Sequence, residues 1–146
     1  MVSNNFNLGR FLDAQKNSYS TALAELLSGR KQSHWMWYVF PQLKGLGQSY
    51  NAEFFGLDGL PEARAYLAHP ILGQRLKEAI KAVLAHKDKT IVSILGELDS
   101  LKLRSCLTLF SLAAPAEQLF TDAMKLHFAG EADAQTIALL KSRLEI

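Results

Sequence analysis

The sequence predicts an all-α fold, a single compact domain of about six to eight helices spanning residues 1–146. Three observations carry this prediction. Apolar residues recur every three or four positions through most of the chain. No stretch alternates apolar and polar residues with the period of two that a strand requires. The periodic segments are separated by loops of only two to six residues, with no obvious linker, repeat or low-complexity stretch.

Composition agrees. Apolar residues make up 49% and charged residues 21%, which is ordinary globular usage and excludes a disordered chain. A chain of this length buries roughly 70% of the surface it exposes when unfolded. Sixteen cations against fourteen acids give a net charge of +2, too near neutral to argue for a nucleic-acid partner. The single cysteine, Cys106, rules out an internal disulfide and suits a reducing compartment. No apolar run approaches the ~20 residues of a membrane helix. The opening MVSNNFNLGRF lacks the charged-then-apolar layout of a signal peptide. The chain therefore reads as cytoplasmic, with no membrane association.

In chain order, Asn7 caps a first helix whose apolar positions run from Leu8 to Leu27, and Gly29 ends it. Ser33 caps a short aromatic helix that Pro41 stops. Lys44 to Ser49 is a loop, followed by a short helical stretch from Ser49 to Phe55. Pro61 opens the next helix, which closes at His69-Pro70. Ile71, Leu72, Leu76, Ile80, Val83 and Leu84 form the apolar face of a longer one. A short helix from about Thr90 to Leu95 ends at Gly96. Asp99 caps SLKLRSCLTLFSLAA, which is apolar nearly all round and hence buried. Pro115 starts another helix, with Gly130 after it, and Asp133 caps the last.

Residues able to carry chemistry concentrate in two places. The first is GRKQSHWMWYVFPQLKGLGQS, Gly29 to Ser49, which holds both tryptophans and lies in an interval, Glu25 to Glu53, free of acids. Trp35 and Trp37 beside cations form either a stacking wall for a flat ligand or plain core surface. Within it KGLGQS is either a plain turn or a weak anion-holding loop. It lacks the third glycine of a dinucleotide fingerprint and the ending of a P-loop. The second place is the polar stripe Arg104, Ser105, Thr108 and Ser111 on the buried helix. Arg104 must meet a carboxylate such as Asp13 or Asp99, carbonyls, water or a bound anion, because leaving it dry and unpaired costs several kcal/mol. Its planar fork suits phosphate or carboxylate.

Among the four histidines no spacing suggests a metal site, and no cofactor is implied. His34 is the one candidate acid/base, through its aromatic company. Cys106 reads as an inert core thiol. Ser105 has no evident base, and no acid pair for hydrolysis stands out.

These segments resemble the bacterial domain-of-unknown-function 1810 family. The resemblance rests on RFLDAQ at Arg10–Gln15, the Gly29–Ser49 stretch, ARAYLAHPILGQRL at Ala63–Leu76, DSLKLRSCLTLF at Asp99–Phe110 and FAGEADAQT at Phe128–Thr136. It implies an all-helical domain of roughly orthogonal helices and brings no established reaction. Some relatives carry the label calpastatin, which the composition opposes, because inhibitory regions of that type are disordered. Where relatives usually read KLRSS, this chain has Cys106 in place of the second serine, which weakens any mechanism that needs a hydroxyl there.

Together these readings place His34–Ser49 opposite Lys102–Thr108, forming one pocket for a small anionic ligand with a flat part, of nucleotide or phosphosugar type. Trp35 and Trp37 would be its walls and Lys31, Lys102 and Arg104 its cationic floor. His34, Gln42, Ser105 and Thr108 would supply polar contacts. Whether the protein is an enzyme stays open. If it is, transfer or hydrolysis with His34 as acid/base is the expected chemistry. The rival expectation is a protein-interaction module or homodimer that presents the aromatic run as a partly exposed hot spot.

Overall fold

The computed structural model describes residues 6–146. Ten helices form among them: α1 (Gly9–Gln15), α2 (Tyr19–Ser28), α3 (Met36–Val39), α4 (Tyr50–Phe54), α5 (Leu60–Ala68), α6 (Leu72–Leu84), α7 (Ile91–Leu95), α8 (Glu97–Ala113), α9 (Gln118–Phe128) and α10 (Ala134–Ser142). No strand forms among the described residues, and an isolated parallel bridge joins Leu43 to Leu57.

Ten helices rather than six to eight is a correction, and part of it lies in the first predicted helix. The turn Lys16-Asn17-Ser18 breaks that segment in two. Asn and Ser compete with the helical ladder through their side chains, and the Ser18 hydroxyl donates to the Ala14 carbonyl at 2.7 Å. Gly29, at φ 84°, then ends α2 in the left-handed region as expected. The short helices α3, α4 and α7 each fall where the sequence places one, so the helix it does not foresee is the second half of that first segment.

Boundaries moved where a side chain had other work. Asn7 caps nothing; α1 starts at Gly9 with Leu8 as its cap residue. The Ser33 hydroxyl is taken by Glu25, so α3 begins only at Met36. Asp99 sits inside the first turn of α8, which starts at Glu97 after Gly96 (φ 89°). Pro115 lies in the turn before α9. By contrast Ser49, Thr90 and Asp133 each accept an N–H at the start of α4, α7 and α10, as their residue types require.

One hydrophobic cluster holds the helices together, with Phe11, Trp35, Phe40, Tyr66, Phe110 and Phe120 among its largest fully buried side chains. At its centre α8 touches α5, α7, α9 and α10, while α6 touches α2, α3, α5 and α9. A small buried polar network threads this core. The Gln15 amide donates to the Tyr38 carbonyl at 2.7 Å and to the Tyr66 hydroxyl at 3.1 Å, and its own oxygen accepts from Arg75 at 3.2 Å. Every polar atom of that glutamine is thus satisfied, which is the condition for burying it.

Outside the core, Arg10 fastens α1 to the α4–α5 corner. It donates to the carbonyls of Phe54 (2.7 Å) and Gly56 (3.0 Å) and pairs with buried Glu62 at 3.0 Å. The RFLDAQ motif is therefore structural at its first and last positions.

The junction of α5 and α6 makes one glycine indispensable. A Cβ on Gly73 would stand 2.0 Å from the Leu67 carbonyl oxygen, a backbone atom that cannot move aside cheaply. Gly73→Ala is expected to destabilise the protein by about 2 kcal/mol or more, read as a lower midpoint in urea unfolding.

Candidate functional site

The aromatic run is set in place by one carboxylate. Glu25, near the end of α2, accepts from the backbone N–H groups of Gln32 (2.8 Å) and Ser33 (2.9 Å), from the Ser33 hydroxyl, and from the Trp35 indole N–H (2.9 Å). Burial alone would raise its pKa. The hydrogen bonds from Ser33, Gln32 and Trp35 outweigh that and bring it down from the usual 4.5 to about 2. With the turn so held, Trp35 enters the core, 1% exposed, and Trp37, two residues on, is left half-buried.

A second carboxylate ties this run to α8. Asp99 lies 2.8 Å from the Lys31 ammonium and 3.4 Å from that of Lys102. Each lysine also covers an indole, Lys31 over Trp35 at 5.0 Å and Lys102 over Trp37 at 4.9 Å. The sequence presents Asp99 as a helix cap; the structure uses it to bridge two cation–tryptophan pairs. The i,i+3 spacing to Lys102 was the one signal for this role.

Beside Trp37 opens a groove of about 740 Å³, within the roughly 300–1,000 Å³ of small-molecule sites. One wall is the segment from Gln42 to Gly56. The other is the first half of α8 with the start of α10. The 42–56 segment is pinned at both ends, since Leu57 N–H donates to the Gln42 carbonyl and Lys44 N–H to that of Leu57. Gly56 permits the close return, because a Cβ there would meet Lys44 and the Ala52 carbonyl at 2.7 Å.

Arg104 stands at the α10 end of the groove. Its Nε donates to the Glu131 carbonyl at 2.8 Å and its Nη2 reaches the Glu131 carboxylate at 3.3 Å. That glutamate is 75% exposed, so the pair is weak and open to exchange. Arg104 Nη1 has no partner among the described residues. Behind it, the Thr108 hydroxyl donates to the Arg104 carbonyl and accepts from Asp133 N–H, both at 2.8 Å. This fixes the 131–133 turn against α8.

The structure brings together Trp37, Gln42, Lys102, Arg104 and Ser105, all of which line the groove. It separates the other four candidates from it. Trp35 is core and not a wall. Lys31 is spent on Asp99, the Ser33 carbonyl and the Trp35 face, with only 8% of its side chain exposed. Thr108 is fully engaged and buried. His34 is exposed and does not line the groove. The pairing envisaged for Arg104 is also corrected, from Asp13 or Asp99 to Glu131. Sequence reading missed Leu98 and Leu101, both exposed on the groove rim. On a helix that is apolar nearly all round, no spacing signal marks these two leucines as the exposed ones.

Elsewhere, Cys106 is fully buried, and burial pushes its thiol pKa well up, as befits an inert core residue. KGLGQS opens with a turn at Lys44-Gly45 and runs along the groove. Its Lys44 pairs with Asp58 at 3.4 Å and its Ser49 caps α4. Among the described residues no cluster of His, Cys, Asp and Glu could hold a metal ion, and no helix is long and apolar enough to cross a membrane.

The family model described as "Protein of unknown function (DUF1810)" matches residues 5–140. The chain is similar to a crystal structure of the conserved hypothetical protein Rv1873 from Mycobacterium tuberculosis, at 44% identity and a TM-score of 0.93. The match covers 94% of this chain and 99% of that one. No curated protein matches.

Glu25 also couples stability to pH. Its pKa is depressed on folding, so its stabilisation is present above about 4.5 and fades as pH falls toward about 2. Glu25→Gln should lower stability at neutral pH by about 1–2 kcal/mol, the full shift being discounted for partial exposure. Urea unfolding of both proteins across pH 7 to 2 should show the gap narrowing only below about 4.5.

Proposed function

The chain belongs to the DUF1810 family of proteins of unknown function, and from that premise we propose that its groove binds a small anionic ligand with a flat part. A nucleotide or a phosphosugar derivative is the class that fits. The observation that carries this reading is the placement of Arg104, with a free Nη1 edge, in one groove with the half-buried indole of Trp37. A flat group would lie against Trp37, Leu98 and Leu101, whose exposed apolar surface otherwise costs solvation. An anionic group would take the guanidinium from Glu131, exchanging a screened surface contact for a bidentate one. Lys102 would turn from Asp99 toward the same charge, and the side-chain amides of Gln42 and Gln135, which line the groove, would orient the ligand.

Nothing in the groove supplies an acid/base in reach of such a ligand, since His34 lies outside it and the Asp133 carboxylate is occupied capping Thr136. We therefore favour binding over transfer or hydrolysis as the function of this site. The interaction-module reading keeps one supporting observation, the exposure of Leu98 (74%) on the rim. A partner covering that residue would also close the groove.

A thermal-shift screen against nucleotides, nicotinamide and ADP-ribose derivatives and phosphosugars is the test. A true ligand at ~100 times its dissociation constant adds about 2.7 kcal/mol, a rise of several degrees for a domain of this size. The rise should vanish in Arg104→Ala, and the accompanying fluorescence change should vanish in Trp37→Phe, because Trp35 is sealed in the core. A screen without hits on a well-folded protein would sink the proposal, as would a hit indifferent to both substitutions.

A further inference from the structure

We propose that the segment after α10, Arg143 to Glu145, is a clamp that sets the width of the groove, with Arg143 and Glu145 as its positioning residues. Between them Leu144 holds φ at 58°, in the left-handed region. Glycine or asparagine is usual at that place after a helix, and this leucine is 92% exposed, so packing does not offset the strain. Such a conformation persists where the surrounding structure imposes it. The turn closes α10 through Leu144 N–H to the Lys141 carbonyl and Glu145 N–H to that of Leu140, both at 3.0 Å. It also sends the Glu145 side chain back onto the protein.

Two long-range contacts follow from that turn. Arg143 Nη2 donates to the Lys44 carbonyl at 2.7 Å and Nη1 to the Asp58 carbonyl at 3.1 Å, the two ends of the loop that walls the groove. A Cβ on Gly45 (φ 105°) would stand 2.9 Å from Nη2, so the guanidinium lies against bare backbone. Glu145 accepts the Leu60 N–H at 2.7 Å. Gly59 has no side chain to cap α5, and this distant carboxylate does so instead, at the favourable end of the helix dipole. Bonds in the neck of the loop, such as Lys44 N–H to the Leu57 carbonyl, join the loop to itself. Arg10 joins its α4 end to α1. Arg143 joins it to α10, and Glu145 fixes the same helix to α5 just beyond the loop.

Helix α10 is thus a strut between the two walls. Its first turn is fixed to α8, through Asp133 N–H on Thr108 and Glu131 on Arg104. About 14 Å further on, its other end is fixed to the loop. The gap between loop and α8 therefore follows from one helix and the three hydrogen bonds at its end. Coupling of this kind is reciprocal: a clamp that favours a ligand is tightened by that ligand by the same factor. The effect on a ligand rests on the binding proposed above, whereas the effect on the empty groove does not.

The test places nitroxide labels on the full chain at Gln48→Cys in the loop and Leu98→Cys on α8, both exposed and both lining the groove. Cys106 is buried and stays unlabelled. Adding Arg143→Ala and Glu145→Ala together should lengthen and broaden the distance between the labels. In the unlabelled variant acrylamide quenching of Trp37 should rise, and an unchanged amide spectrum outside residues 42–60 verifies the fold. Leu144→Pro, which cannot adopt the turn, should open the groove likewise, while Leu144→Gly should leave it closed. These two variants decide the matter even where the double alanine variant fails to fold. With a ligand from the thermal-shift screen, the double variant should bind about tenfold more weakly. An unchanged label distance, equal opening by Leu144→Gly and Leu144→Pro, or equal ligand affinity would overturn the clamp. A screen without hits would count against the binding proposal alone, since the label distances still decide the clamp.

Discussion

Glu25 collects four donors from a four-residue stretch, two of them backbone and two from the side chains of Ser33 and Trp35. Much else rests on that convergence. The Gly29–Trp35 turn has no regular ladder of its own, and buried or half-buried N–H groups must find acceptors. One carboxylate meets that need and, by accepting from the Trp35 indole N–H, also satisfies the polar atom of the tryptophan that goes inside. From there α3 has a fixed start, and Trp37 faces the groove instead of the core. Substituting a neutral or short side chain at position 25 would leave several donors competing for water in a partly closed turn.

The same economy governs α8. A helix that touches four others has little room for polar side chains, yet it carries Ser100, Ser105, Thr108 and Arg104. Ser100, Ser105 and Thr108 return their hydroxyls to carbonyls of the preceding turn, at Glu97, Leu101 and Arg104. Thr108 has a second lone pair, and it holds Asp133 N–H, so a buried hydroxyl anchors the turn that Arg104 leans on. Arg104 is thus supported from behind, while its Nη1 has no partner among the described residues. Asp99 performs the matching service at the other end of the helix, holding Lys31 and Lys102 above the two indoles. The groove has a rigid frame and exchangeable charges. This combination is what the proposed binding of an anion would use.

Much of the fold was legible because it depends on local rules. Gly29, Pro41, Ser49, Pro61, Thr90, Gly96 and Asp133 each punctuate the chain as their backbone chemistry dictates. The failures also have local explanations. Lys16-Asn17-Ser18 looked like the polar face of a continuous helix, because periodicity does not register a hydroxyl that captures a carbonyl four residues back. Ser33 and Asp99 looked like caps because their residue types are right for it, but a cap is made only if the side chain is free. Glu25 had taken the one and Lys31 the other.

The candidate site divides along the same line. The sequence by itself determined that this is an all-α domain of the family, and that its aromatic run and the Lys102–Thr108 segment are the two dense patches of functional residue types. Composition, spacing and turn chemistry suffice for that, since each is a property of neighbours in the chain. Only the tertiary structure decided that Trp37 and not Trp35 lines the groove, that Lys31 is consumed by Asp99, and that Arg104 keeps a free edge while His34 stands outside. These outcomes turn on contacts between residues far apart in the chain, where one carboxylate or hydroxyl is available to several donors. Which donor wins is settled by the packing of whole helices.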